Sequence, residues 1–127
     1  MDKPGNPVGW FEIYVADMAR ARAFYTTVFG RELVQLPEIG ADGEMYAFPW
    51  TEGGSGAAGA LVRHPMAGPG KGGILVYFSC SELSQEAERA VEAGGRLVQP
   101  KMAIGQYGYI ALVEDTEGNM IGLHSMQ

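Results

Sequence analysis

The 127-residue chain has one cysteine, Cys80. No internal disulfide can form, so nothing implies an oxidising compartment, and a zinc site of clustered cysteines is excluded. Positive charge is also scarce. Nine Lys and Arg stand against fifteen Asp and Glu, a net charge of −6, with a pI near 4.8. That balance leaves no electrostatic footprint for a phosphate backbone or an anionic membrane, which argues against nucleic-acid and membrane partners. Long apolar runs are missing too. The most continuous, Ile74 to Phe78, falls far short of the ~20 residues a spanning helix needs. Met1 to Pro7 contain no apolar segment of signal-peptide length. A soluble protein of the cytoplasm is the expectation.

Apolar material is nonetheless ample. The hydrophobic fraction is 46% and the charged fraction 19%, the composition of a chain that folds around a core. The length suits one domain. Nineteen glycines are about twice the number that an average usage of ~7% would give. Spread between apolar runs, they read as many turns joining many short strands.

A shift of 65 residues aligns the chain with itself. Val15-Ala16-Asp17-Met18 falls on Cys80-Ser81-Glu82-Leu83, Gly30-Arg31 on Gly95-Arg96, and Thr51-Glu52-Gly53 on Thr116-Glu117-Gly118. Each Gly-Arg pair leads into a Leu-Val-Gln segment. The chain therefore reads as two copies of one unit, about 8–64 and about 74–125. The competing reading is chance similarity between two βα units of an ordinary α/β domain.

Within the first copy, residues 8–15 alternate, with Phe11, Ile13 and Val15 on one side and Trp10, Glu12 and Tyr14 on the other, which is a strand. Asp17 stands where a helix N-cap would. Apolar residues then recur with helical spacing at Met18, Ala21, Phe24, Tyr25, Val28 and Phe29, and Gly30 ends the run. Strands follow at about 32–36, 44–50 and 57–63, separated by Pro37, Ala41-Asp42-Gly43 and Gly53-Gly54-Ser55-Gly56. The second copy repeats the order. A strand at 74–80 precedes a helix at 82–93, with Leu83, Ala87, Ala90 and Val91 on one face. Gly94-Gly95 ends that helix, and strands come at about 96–99, 108–114 and 119–125. Residues 65–73 form a flexible connection. At about 60 residues, neither copy is expected to bury enough surface alone.

A tandem βαβββ chain of this size resembles the vicinal oxygen chelate superfamily, which includes glyoxalase I, the bleomycin-resistance proteins and the extradiol dioxygenases. The residues carrying the resemblance are Val15-Ala16-Asp17-Met18, Ala23-Phe24-Tyr25, Val28-Phe29-Gly30, Val91-Glu92-Ala93-Gly94-Gly95 and Glu114-Asp115-Thr116-Glu117-Gly118-Asn119. Ile104 to Gly108 through Ile121 to Ser125 look like the small glyoxalase-related members rather than glyoxalase I itself. The resemblance implies an α+β fold of curved mixed sheets around a cleft, with helices on the convex side. It also implies a homodimer.

That fold turns the strand alternation into a map of the cavity. Trp10, Glu12 and Tyr14 are expected to face inward on the first strand, and Ala58, Ala60, Val62 and His64 on the fourth. Leu75, Tyr77 and Ser79 take that role on the fifth strand, and Met120, Gly122 and His124 on the last. Metal-using members of the superfamily take one His or Glu from each of these four strands, and by strand register the positions are Trp10, Ala60, Leu75 and Gly122. None can ligate a metal through its side chain. No cofactor is therefore expected. A divalent metal would need a displaced site around Glu12 and His124, two residues further along the same faces, and two ligands are short of the usual three or four.

The same two residues are the tentative catalytic pair, because a carboxylate in an apolar setting suits general-base work and a nearby imidazole suits proton donation. The alternative is a hydrogen-bonded polar pair inside an apolar pocket. Ligand contact is expected from Trp10, Tyr14, Leu75, Tyr77, Met120 and Gly122. His64 reads as an exposed strand-end residue and Cys80 as core. Tyr107 and Tyr109 suit either a cavity rim or packing. The implied function is binding of a small organic molecule in a cleft between the modules. The alternative is a metal-dependent lyase, isomerase or dioxygenase using the displaced site.

Overall fold

A computed structural model of the chain describes residues 5–37, 43–70 and 72–127. Ala41 and Asp42 of the expected turn, and Lys71 of the expected connection, lie outside those residues. The elements are β1 (Val8–Tyr14), α1 (Met18–Phe29), β2 (Val34–Leu36), β3 (Glu44–Ala47) and β4 (Ala58–Arg63), followed by β5 (Ile74–Ser79), α2 (Leu83–Glu92), β6 (Arg96–Ala103), β7 (Tyr109–Glu114) and β8 (Met120–Ser125). A single 3-10 turn, Gly105–Tyr107, precedes β7. The architecture is α+β, with the order β-α-β-β-β written twice.

Two compact units emerge, one of residues 10–74 and one of residues 75–127 together with the chain up to Gly9. The first unit carries strands in the order β2-β3-β4-β1. Its outer pairs are antiparallel and β4 runs parallel to β1. The second carries β6-β7-β8-β5, again with two antiparallel pairs and a parallel one between β8 and β5. One topology therefore serves both units. The first residues join the second unit because Ser79 donates its backbone N–H to the Pro7 carbonyl at 2.8 Å.

Each unit packs its helix on one face of its strands. Asp17 opens α1 from an extended backbone, its Oδ1 accepting the Arg20 N–H at 3.0 Å. Gly30 closes the helix at φ +67°, a left-handed conformation that costs glycine little. Met18, Ala21 and Tyr25 pack over Leu33 and Leu61, with Ile13, Val15, Tyr46 and Phe48 around them. In the second unit α2 lays Leu83, Ala87 and Ala90 on Ala111, Val113 and Leu123. The buried Leu83 N–H at its start donates to the Ser125 hydroxyl at 3.2 Å.

Several expectations need correction. Phe24, Val28 and Phe29 are more than half exposed, because α1 meets its sheet through Met18, Ala21 and Tyr25; Phe24 lies off that row, and Val28 and Phe29 continue it at the C-terminal end, outside the packed cluster. Val91 is half exposed for the same reason on α2. Strand β3 stops at Ala47 rather than near residue 50, just ahead of Pro49, which has no N–H to give a ladder. Strand β6 runs past residue 99 to Ala103, with register shifts flanking Gln99. It tolerates Pro100 because it is an edge strand.

Candidate functional site

Opposite the α1 face, the inner side of the first unit is built from β1, β4, β3 and β2. Alternation on β1 sends Ile13 to the helix and Trp10 and Tyr14 to the inner cluster. Glu12 stands between those two aromatics and is only 8% exposed. Its carboxylate accepts the Tyr14 hydroxyl proton at Oε1 (2.7 Å) and the Trp10 indole N–H at Oε2 (3.3 Å). Residues at i and i+2 on a strand share a face, so three alternate positions place an acid between two donors. Charge-assisted bonds of this kind help offset the cost of taking a carboxylate out of water.

The ladder neighbours of Glu12 and Tyr14 are apolar. Strand register puts Glu12 beside Ala60 and Tyr14 beside Val62. Ala47 follows beside Ala60, and Met45 beside Val62. Ala47, Ala60 and Val62 are buried under Trp10, Tyr14, Leu36 and Met45. Trp50, from the segment after β3, sets its ring edge-on to Trp10, with centroids 6.3 Å apart at 80°. Trp50 was not singled out by the sequence because it follows Pro49, outside any alternating run. Two tryptophans near one carboxylate were its only available signal.

The remaining candidates lie in the second unit. Tyr77 pairs with Gly122 across the parallel β5–β8 ladder, and its ring occupies the space a side chain at Gly122 would need. Leu75 and Tyr77 are buried, and Met120 is half exposed. His124, beside Ser79 on the ladder, donates from Nε2 to the Tyr107 carbonyl at 2.5 Å. A carbonyl can only accept, so Nε2 carries the proton of this contact. Glu12 and His124 thus each hold partners within their own unit. Tyr109 packs into the α2 core and Cys80 is buried in the same core. His64, half-buried at the end of β4, accepts the Met66 N–H at Nδ1.

Among the described residues no three His, Cys, Asp or Glu side chains come together, so those residues offer no multi-ligand metal centre. The ladder neighbour of Glu12 is Ala60, and the donors on its carboxylate include an indole and a phenol.

A family model described as the Glyoxalase/Bleomycin resistance protein/Dioxygenase superfamily matches residues 8–123. The chain belongs to this superfamily. Two curated mycobacterial proteins, each named "Putative glyoxylase CFP32", come from Mycobacterium bovis and Mycobacterium tuberculosis. Both are 27% identical to the chain over 122 residues, covering 95% of it and 46% of the relative. The chain thus spans about half the length of these relatives. Among solved structures, methylmalonyl-CoA epimerase from Mycobacterium tuberculosis matches with a TM-score of 0.71 at 20% identity, over 95% of this chain and 88% of that one. A variant of the Streptomyces coelicolor methylmalonyl-CoA epimerase, in complex with 2-nitronate-propionyl-CoA, also matches at 0.71. It is 14% identical, over 94% and 96% of the two chains. At these identities the likeness establishes the glyoxalase-superfamily fold, and no described helix is long and apolar enough to cross a membrane.

Proposed function

We propose that this glyoxalase-superfamily chain binds a small organic molecule against the inner face of its first unit, with Glu12 as the polar anchor. The observation that carries the reading is a carboxylate 8% exposed, accepting from Trp10 and Tyr14, on the face that holds the apolar cluster of Ala47, Ala60 and Val62. Burying an acid there is costly for stability alone, and binding sites are commonly apolar surfaces with a few placed polar groups. That carboxylate is the polar group that a ligand N–H or O–H would address. Trp10, Tyr14 and the edge-on Trp50 supply aromatic surface for the ligand's body. The proposed binding uses no metal, on the strength of the donor set. Epimerases that share this fold were solved with CoA thioesters bound, so acyl compounds belong in the screen.

The exposed Phe24, Val28 and Phe29 of α1 support the further reading that two chains pair in solution, which sedimentation at micromolar concentration tests.

The experiment on the ligand is a thermal-stability screen of metabolites against the wild type and Glu12→Gln. A compound that raises the melting temperature of the wild type and not of the variant supports the reading. Equal shifts in both would remove Glu12 from the site. Stoichiometric zinc, nickel, iron or manganese in protein purified without added metal, lost on Glu12 or His124 substitution, would replace this reading with a metal-dependent one.

A further inference from the structure

The first unit has a recess on the helix side of its strands, where the start of α1 meets β3 and β4. It measures about 400 Å³, and Asp17, Met18, Arg22, Glu44, Tyr46 and Arg63 line it. Arg22 follows the buried Met18 by one helical turn and so leans toward the strands. Its guanidinium lies over the Tyr46 ring, with Cζ 4.1 Å from the centroid. Nε of Arg22 is buried and donates to no acceptor among the described residues. A buried donor without an acceptor is rare in folded proteins and asks for a partner.

The other charges of the recess are accounted for. Arg63 donates from Nε to Glu44 Oε1 at 2.7 Å. Asp17 is engaged in capping α1 through Oδ1. Arg22 has no carboxylate partner among the described residues.

We infer that this recess is a binding site for a small monocarboxylate, held by the Arg22 guanidinium that lies over Tyr46. A planar carboxylate matches the guanidinium fork with two parallel bonds. One negative charge suits the site better than two. The Asp17 and Glu44 carboxylates line the same space and repel a second charge on the ligand. Met18 and Tyr46 offer apolar surface for a short hydrocarbon or aromatic body. The site is separate from the Glu12 face, since it lies on the helix side of the strands.

The test is titration of 15N-labelled protein with propionate, benzoate and inorganic phosphate near pH 8 at constant ionic strength, following the Arg22 Nε–H resonance. Both carboxylates are expected to move it saturably, with a dissociation constant of about 1 mM. Largely dianionic phosphate is expected to bind about tenfold more weakly. Arg22→Gln, monitored through its backbone amides, is expected to lose carboxylate binding. Glu44→Gln removes one repelling charge and releases Arg63, so it is expected to bind the carboxylates roughly threefold tighter, a gain that misfolding cannot imitate. The proposal is overturned by a wild-type resonance that never saturates, by phosphate binding as tightly as the carboxylates, or by unaltered binding in Glu44→Gln.

Discussion

Coupling between Tyr14 and Glu12 is measurable apart from any ligand. The phenol donates to Glu12 Oε1 at 2.7 Å in a part-buried setting, and a hydrogen bond to a charged group contributes about 1.5–3 kcal/mol. Partial exposure argues for the lower end. Tyr14→Phe keeps the ring in the apolar cluster and deletes only the hydroxyl, so its cost is expected to be ~1.5 kcal/mol. In a Glu12→Gln background the charge assistance is gone, and the same substitution is expected to cost about 0.5 kcal/mol. The coupling energy is then about 1 kcal/mol. Both residues make further interactions, and the double-mutant cycle cancels those that the two substitutions do not share. Urea unfolding of the four proteins at pH 7, followed by tryptophan fluorescence, supplies the numbers. A coupling below about 0.3 kcal/mol would mean that the bond does not hold the carboxylate, and that Glu12 needs another account.

Three further predictions rest on the same geometry. Gly122→Ala puts a methyl group into the Tyr77 ring, and is expected to cost about 1–3 kcal/mol in denaturant unfolding. Asp17→Ala removes the cap on the Arg20 N–H, for an expected loss of about 1 kcal/mol; a value within noise of zero would show the cap to be dispensable. Burial, assisted by the negative charge of Glu86, pushes the Cys80 thiol up to about 11 from an ordinary 9.0. Native protein should therefore react slowly with a disulfide reagent at pH 8, and unfolded protein quickly. The unfolded thiol ionises first, so this group's contribution holds below pH 9 and is lost as pH rises toward about 11. Unfolding curves at pH 8 and pH 10, for the wild type and Cys80→Ala, check the sign.

Much of the fold was legible because local rules and tertiary packing agree in this chain. Asp17 and Gly30 mark the ends of α1 by capping chemistry, which depends on a few neighbouring residues. Alternation along β1 sorted Ile13 from Trp10 and Tyr14 because a strand has period two whatever it packs against. The exposed Phe24 and Val28 show where such reading fails. Helical spacing marks the apolar rows, and only the sheet's position selects which row is covered and over how much of its length. Pro100 within β6 is the converse, since nothing local says that a strand lies at an edge.

For the candidate site, Glu12 was found from alternation, and its indole and phenol donors follow from spacing along one strand. Trp50 and the Arg22 recess were not found, because they join segments whose proximity is set by strand pairing. By itself, then, the sequence determined the duplicated β-α-β-β-β order, the helix ends, and which β1 residues share the face of Glu12. Only the tertiary structure decided that Ala60 and Ala47 stand in a row beside that carboxylate, that Tyr77 fills the space over Gly122, and that Arg22 rests on Tyr46 with a buried donor unmet. The physical reason is range. Caps and alternation act over a few residues of chain, whereas ladder register and side-chain stacking join residues that only the folded chain brings together.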